Sequence, residues 1–452
     1  MKKTMILAFA LFATGGKNLH AQTIAAGVNY CLSICSDNTV KAWGTNSSGQ
    51  LGNGSTTSSK TPVSVSGLTG ITAVAAGSSH AVAVKNNGSV YTWGDNIGGQ
   101  LGTGNTTSSN TPAQVAGFSG ATKAAAGSKH TIVLKSDGTV WGWGNNAFSQ
   151  LGAASPSSSY TPIQVPGLTS ITAIASGDSH NLALKSDGTV WSWGINSKGQ
   201  LGRSVGSTGT TGQITGLTGI VAIAAGKNYS LAVKNDGTVW AWGENSDGQL
   251  GNGTTTDAST PVQVTGLSGI TSVSGGLNHS LAVKNNGTVW AWGANSSGEL
   301  GDGTFTDRLT AVQVSTLSGI NVVDAGEELS MAVKSNGTVW TWGYNSSGQL
   351  GNGTSMDSET PLQPTSLCTA LAIKETEAAR GINVYPNPAH DLLYVNSENA
   401  KNIGQLDIYD QLGKKVLQQN IQESKKQIDI HNLPSGVYYI KGEQWGLKFI
   451  KD

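Results

Sequence analysis

Histidine is the side chain best suited to acid–base chemistry near neutral pH, and the 452-residue chain holds seven. His20 lies in an apolar N-terminal stretch, and His390 and His431 lie near the other end. His80, His130, His180 and His279 fill one slot of a recurring pattern, where the remaining copies carry Tyr30, Tyr229 and Leu329. A residue that recurs and exchanges with Tyr is expected to pack and hydrogen-bond. A Ser-His-Asp triad needs one base in a unique setting, and none is left for it. Zinc is not expected either, because the slot-mates fall on separate repeats and no Cys/His cluster has ligand spacing. Glycoside cleavage would need two carboxylates across a cleft. Asp302 with Asp307, or Glu327 with Glu328, could be put forward, and neither pair has a distinguishing context. Strings such as Gly251-Asn252-Gly253-Thr254 lack the Gly-Lys-Ser/Thr ending of a phosphate loop and read as turns. The expectation is a non-enzyme without cofactor or metal.

Composition supports a scaffold. Charged residues make up only 12% of the chain, Lys+Arg and Asp+Glu balance at 27 each, and 62 Gly stand beside 13 Trp. A disordered chain would be charge-rich and Trp-poor. A nucleic-acid partner would call for a basic stripe, which this balance does not offer. Lys2 and Lys3 followed by the apolar Met5–Phe12 run predict a secretory signal over residues 1–21, cleaved after Ala21. No segment reaches the roughly 18 apolar residues of a membrane span.

The elements that hold these side chains repeat. Trp-Gly pairs begin at Trp43, Trp93, Trp143, Trp193, Trp242, Trp292 and Trp342, at intervals of 49 or 50 residues. Such a period marks a repeat architecture. Within one copy, Ser280–Lys284 and Thr288–Trp292 alternate apolar and polar residues like half-buried strands. Asn286-Gly287 between them predicts a type I′ hairpin. Repeat 1 carries Asp37-Asn38 at that turn. The segment 269–275 and the Pro261-led segment supply two further strands, with Pro at an edge. Four short strands per copy and seven copies predict an all-β seven-bladed propeller over residues 22–368, with the Trp residues as blade-packing core. Repeat 1 enters late, at Thr23–Gly27, so the returning C-terminal chain is expected to complete its blade.

Three cysteines bear on closure. Cys31 and Cys35 lie in one strand, about 13 Å apart at strand rise and beyond the roughly 7 Å that a disulfide spans. Cys368 falls where the returning chain meets the first blade, so a bridge to Cys31 or to Cys35 is expected, with the choice open. Cys35 also stands where every other repeat has Lys.

Each copy reads approximately Ala-Gly-x-x-His, Lys, Trp-Gly-x-Asn-x-x-Gly-Gln-Leu-Gly. Repeat 2 shows it as Ala76-Gly77-Ser78-Ser79-His80, Lys85 and Trp93-Gly94-Asp95-Asn96-Ile97-Gly98-Gly99-Gln100-Leu101-Gly102. This resembles the RCC1 (regulator of chromosome condensation) repeat family, and the resemblance implies the propeller fold. It does not carry over exchange activity, because a propeller with 14 basic and 17 acidic residues does not suit chromatin and an exported chain would not meet an intracellular GTPase.

After a linker at 369–380, residues 381–452 lose the Trp-Gly punctuation and alternate as a small β-sandwich. Tyr385-Pro386-Asn387-Pro388-Ala389, Ile408-Tyr409-Asp410 with Gly413, Gly436-Val437-Tyr438 and Lys448-Phe449-Ile450-Lys451 resemble the type A C-terminal sorting domain of the type IX secretion system of Bacteroidota. That resemblance implies engagement of the type IX machinery and a location outside the cell or on its surface.

Function is expected where the repeats differ. The position after Trp-Gly holds Asp95, Asn145, Glu244 and Tyr344 among others, and Phe148 is a singular bulky residue. These five are the candidate binding residues. The expected role is a monomeric, secreted binding module for an extracellular protein or polysaccharide. The alternative is a secreted enzyme inhibitor, similar to the beta-lactamase inhibitory proteins; a polysaccharide-degrading enzyme ranks lower.

Overall fold

The computed structural model describes residues 23–334, 336–368, 382–397, 403–410, 415–442 and 446–452. The expected signal at 1–21, the linker and residues 411–413 lie outside the described residues.

Twenty-eight strands form seven four-stranded antiparallel sheets, each built from consecutive strands. Blade 6 is representative, running Ile270–Gly275, His279–Lys284, Val289–Gly293 and Arg308–Gln313 from the axis outward. The hairpin between its second and third strands departs from the type I′ expectation. Val283 pairs with Val289, Gly287 N donates to Lys284 O (2.8 Å) and Lys284 N to Thr288 O (2.9 Å). Only Gly287 has positive φ in this turn. The connection is a type I turn closed by a glycine bulge, because the loop is three residues long and its asparagines need no left-handed backbone.

The repeated motif is the code for blade packing. Trp292 is fully buried and its indole N–H donates to Gln249 O of the preceding blade (2.8 Å). The same bond joins every neighbouring pair, ending with Trp43 to Gln349 O (2.8 Å). Glycine follows the Gln-Leu pair because a Cβ on Gly251 would stand 2.8 Å from the Trp292 ring, at φ +65°. The motif asparagine, Asn295, is buried and spans the loop, accepting from Leu300 N (2.9 Å) and donating to Thr304 O (2.9 Å). Buried Trp and Leu side chains each contribute about 1.5–3 kcal/mol by burial.

Blade 1 uses only its own four strands, Ile24–Ala26, Tyr30–Ile34, Val40–Gly44 and Ser59–Ser64. The expected completion of this blade by the C-terminal chain is therefore wrong: its inner strand is shortened to three residues but present, so no vacancy exists. The ring shuts side by side. Gln349 Nε2 donates to Asn29 Oδ1 (2.9 Å), Gly353 N to Lys60 O (2.9 Å), and a disulfide joins Cys35 to Cys368 with Cα atoms 5.6 Å apart. Cys31 is buried, its free thiol 3.3 Å from Gln349 O.

The tail forms a three-stranded sheet (Ile382–Tyr385, Leu392–Ser397, Lys425–Asp429) and a four-stranded one around Gly404–Asp410 and Gly436–Lys441. Leu393, Val395, Leu406, Ile408, Ile440 and Phe449 share one core. Ala389 N donates to Ile450 O (2.7 Å) and Ile450 N to Asn387 Oδ1 (2.9 Å). Thus the segment containing Pro386 and Pro388 is clamped to the last strand, in which Lys448 pairs with Tyr439.

Candidate functional site

The propeller has two unlike faces. One carries the hairpin turns, and there five lysines lie over tryptophans of their own blade, from Lys185 on Trp191 at 5.1 Å to Lys284 on Trp290 at 5.8 Å. Such stacking is worth about 0.5–1 kcal/mol at exposed sites. Blade 1 has neither partner, since Cys35 takes the lysine slot and Lys41 the tryptophan slot. The disulfide stands there in place of the stack.

The opposite face carries the Trp-Gly-x-Asn loops and the turns between first and second strands. Main-chain bonds tie the two sets together, as in Asp95 N to Ser79 O (2.8 Å) and Tyr344 N to Glu328 O (2.9 Å). All five candidate binding residues lie on this loop face. Asp95 Oδ2 accepts from Gln100 Nε2 (2.8 Å) and Asn145 Oδ1 from Gln150 Nε2 (3.0 Å). Glu244 pairs with Lys198 (3.0 Å) and accepts from Asn228 (3.1 Å). Phe148 is 42% exposed and Tyr344 half-buried. The five are spread over blades 2, 3, 5 and 7 and do not converge on one pocket.

At the axis, glycines 27, 77, 127, 177, 226, 276 and 326 form a ring at the loop face. A Cβ on Gly77 would stand 2.4 Å from Gly127 O, and one on Gly326 2.7 Å from Gly27 O. Behind this constriction the axial cavity widens to about 1130 Å³, lined by the inner strands. Lys123 enters it and donates to Thr172 O (3.1 Å). Asp324 crosses the seam, accepting from Ala26 N of blade 1 (2.8 Å) and from Ser274 of blade 6 (3.0 Å). Burial pushes its carboxyl up to about 6.

The slot histidines are buried between blades. Nε2 of His80 lies 2.9 Å from Thr131 Oγ1, and that of His279 2.9 Å from Ser330 Oγ, each on the next blade. Burial holds His80, His180 and His279 down to about 3 and His130 to about 4, so they are neutral packing elements. Tyr30 and Tyr229 serve the same purpose, their hydroxyls donating to the next blade's His80 O and His279 O.

The two carboxylate pairs raised by the sequence do different things. Asp302 is bound by Arg308 (2.8 Å), and Asp307 accepts from Asn295 N (2.8 Å). Glu327 lies at the axis end, and burial raises both it and Glu328.

Sequence reasoning missed Glu299. Six blades have Gln at this slot, and Gln200, Gln249 and Gln349 donate Nε2 to Asn228, Asn278 and Asn29 of the next blade. In blade 6 the slot holds Glu299, 2% exposed, and the next blade presents Glu328. Ser297 N donates to Glu299 Oε2 (2.7 Å), and among the described residues Glu299 forms no ion pair. Burial, with lesser contributions from Glu328 and Asp307, pushes its carboxyl up to about 7. The signal was the one copy of Gly-Gln-Leu-Gly in which the Gln is replaced. Glu299→Gln restores a donor toward Glu328 and is expected to stabilise the propeller by about 2–3 kcal/mol at pH 8 and by almost nothing at pH 4.5. Urea unfolding of both proteins at the two pH values measures this.

Charge is partitioned between the faces. Leaving aside Lys123 and Asp324 at the axis, the hairpin face holds seven lysines against four aspartates, whereas the loop face holds twelve acidic residues against six basic. Ten of the twelve belong to blades 5–7: Glu244, Asp247 and Asp257, then Glu299, Asp302 and Asp307, then Glu327, Glu328, Asp357 and Glu359. Only Lys227 and Arg308 oppose them in those blades.

Comparison with known proteins places this architecture. Residues 119–383, more than half of the chain, match the RCC1-like domain, and residues 37–84 and 87–134 match the RCC1 repeat. The chain belongs to the RCC1-like domain family. Residues 383–451 match the secretion system C-terminal sorting domain, which marks this RCC1-like protein for export by type IX secretion. Among solved structures, Prp20p from Saccharomyces cerevisiae is similar at 25% identity and TM-score 0.65, over 76% of this chain and 87% of that one. Yeast RCC1 (Prp20) bound to Kap60 is similar at 24% identity and TM-score 0.66, over 85% and 93%. Human WBSCR16 is similar at 23% identity and TM-score 0.62, over 69% and 85%. No curated protein matches. Among the described residues no helix is long and apolar enough to cross a membrane.

Proposed function

We propose that this chain is an exported, non-catalytic interaction module that binds a protein partner through the loop face of its RCC1-like propeller. The observation that carries this reading is the gathering of blade-specific side chains on that face, over slots otherwise held constant by packing. Packing spends the Trp, His, Asn and Gln slots on the ring itself, which leaves the loop positions to vary. The similar Prp20p is described by its binding properties to Gsp1p and histones, which are proteins. The sorting tail supports delivery outside the cell or to its surface.

Affinity capture from culture medium and cell-envelope extracts tests the reading. One protein is expected to be retained stoichiometrically by the wild type and lost by the Asp95→Lys, Glu244→Lys, Tyr344→Ala triple variant. Reversing the exposed turn residues Asp137→Lys and Asp236→Lys on the hairpin face is expected to leave capture unchanged. Retention of polysaccharide without protein, or loss only in the hairpin-face variant, refutes it. A captured enzyme whose turnover falls on binding would make the module an inhibitor.

A further inference from the structure

The loop face is not uniform, and its asymmetry states what kind of partner it fits. Blades 1–4 contribute four basic and two acidic residues to it, and blades 5–7 two basic and ten acidic. The same sector exposes its largest apolar side chains in slots that hold threonine elsewhere. Phe305 is 53% exposed where blades 1, 2 and 5 have Thr56, Thr106 and Thr255. Met356 is 75% exposed where they have Thr57, Thr107 and Thr256. Between these loops and the axis lies Glu299, a 2% exposed carboxylate with no counter-ion among the described residues and with Glu328 as its neighbour across the blade junction.

A buried carboxylate in place of a satisfied amide is unfavourable within the free protein. It becomes favourable when a cation is set beside it out of water, and truncating either member of such an interfacial pair is costly. Apolar side chains standing in water beside such a site are the other half of an interface, since aromatic and Met residues with Arg are enriched at interface cores.

We infer that blades 5–7 of the loop face form the docking surface for a basic protein, one of whose Lys or Arg side chains sits between Glu299 and Glu328 while its apolar residues cover Phe305 and Met356. This rests on the interaction-module reading and names the partner's chemistry. The charge around the sector draws such a partner in and makes association weaken with salt. Arg suits the position best, because its planar fork can engage two carboxylates at once.

The test pans the full-length protein against a bead-displayed library of random twelve-residue peptides. Selected peptides are expected to share an Arg or Lys next to an aromatic or aliphatic residue. Their affinity is expected to fall at least tenfold in Glu299→Gln/Glu328→Gln, severalfold in Phe305→Thr/Met356→Thr, and further between 50 and 300 mM salt. Because Glu299→Gln is expected to stabilise the fold, lost binding cannot be put down to unfolding; melting curves check this. Peptides without a basic residue, undiminished affinity in the carboxylate variant, no binders at all, or binding that requires an added divalent cation each overturn the inference. Binding abolished by Asp95→Lys but untouched by the carboxylate variant moves the partner to another sector and leaves the loop-face reading standing. Dependence on the hairpin face sinks both.

Discussion

Between pH 7 and pH 5 the propeller is expected to lose about 4 kcal/mol of unfolding free energy, chiefly through histidines buried between blades. His80, His130, His180 and His279 are held neutral by burial, with folded values of about 3 to 4. In the unfolded chain each accepts a proton near its usual value of about 6.5. The stability they contribute is complete above that value and is lost as pH falls toward the folded values, by about 2 kcal/mol each at pH 5. Glu299 and Asp324 work the other way. Their folded values, about 7 and about 6, lie above the unfolded ones, so their contribution is present at low pH and is lost as pH rises through them. Together they return about 3.5 kcal/mol at pH 5, which leaves the histidines in control. Urea titrations followed by Trp fluorescence at pH 5, 6 and 7 measure the slope. Unchanged or rising stability on acidification would mean that the histidine slots are charged in the fold. His80→Tyr, which copies the residue used in blades 1 and 5, is expected to flatten the slope by about one proton.

Cys368→Ser is expected to destabilise the propeller by about 5 kcal/mol, since the bridge closes a loop of several hundred residues and its effect grows with the logarithm of loop length. The sequence separation is 333. The first and last blades also meet through the same Trp-to-carbonyl bond as every other pair, through Asp324 on Ala26 N, and through the Gln349–Asn29 and Gly353–Lys60 bonds. Without the bridge, the seam keeps its contacts while the two ends gain freedom when it opens. Limited proteolysis with and without reductant, with cleavage sites mapped, is expected to show new cuts at 23–35 and 355–368 in the reduced protein. Identical unfolding midpoints for wild type and Cys368→Ser would remove the bridge from the stability account. Cys31→Ser keeps a small polar atom near Gln349 O and is expected to change little.

Periodicity made most of the fold legible. Trp43 through Trp342 set seven blades, and alternation around Asn286-Gly287 located the central hairpin. The turn type was misjudged because an Asn-Gly pair looks the same in a two-residue and a three-residue loop, and only the Val283–Val289 pairing decides. Completion of blade 1 by the returning chain was expected because the strand at Thr23–Gly27 is short, whereas three residues are enough to fill the inner position. The bridge could not be assigned because Cys31 and Cys35 fall on one strand, and only the fold shows Cys31 turned toward Gln349. For the site, the variable slots were visible, but the sector was not. A propeller net charge near zero conceals opposite faces, since residues fifty apart in sequence become neighbours only in the ring. Arg203 falls in the repeat that is one residue short and lacks the Thr-Pro pair, and nothing in that irregularity indicates its contacts. In the fold its guanidinium lies against Gly209 and Gly212 and bonds Ser192 O (3.0 Å), over the slot where Gly212 replaces the Val262 of blade 5.

The axial glycines also bear on how such a chain can be inherited. At six of the seven a Cβ would stand within 2.7 Å of the next blade's glycine carbonyl, so the circumference at that level is counted out in backbone units, with no side chain to take up slack. A tandem gene that gained or lost one fifty-residue copy would have to redraw these approaches together. Copy number is thereby frozen while the loops above it are free to diverge, and new specificities arise by editing single blades within a ring of constant size.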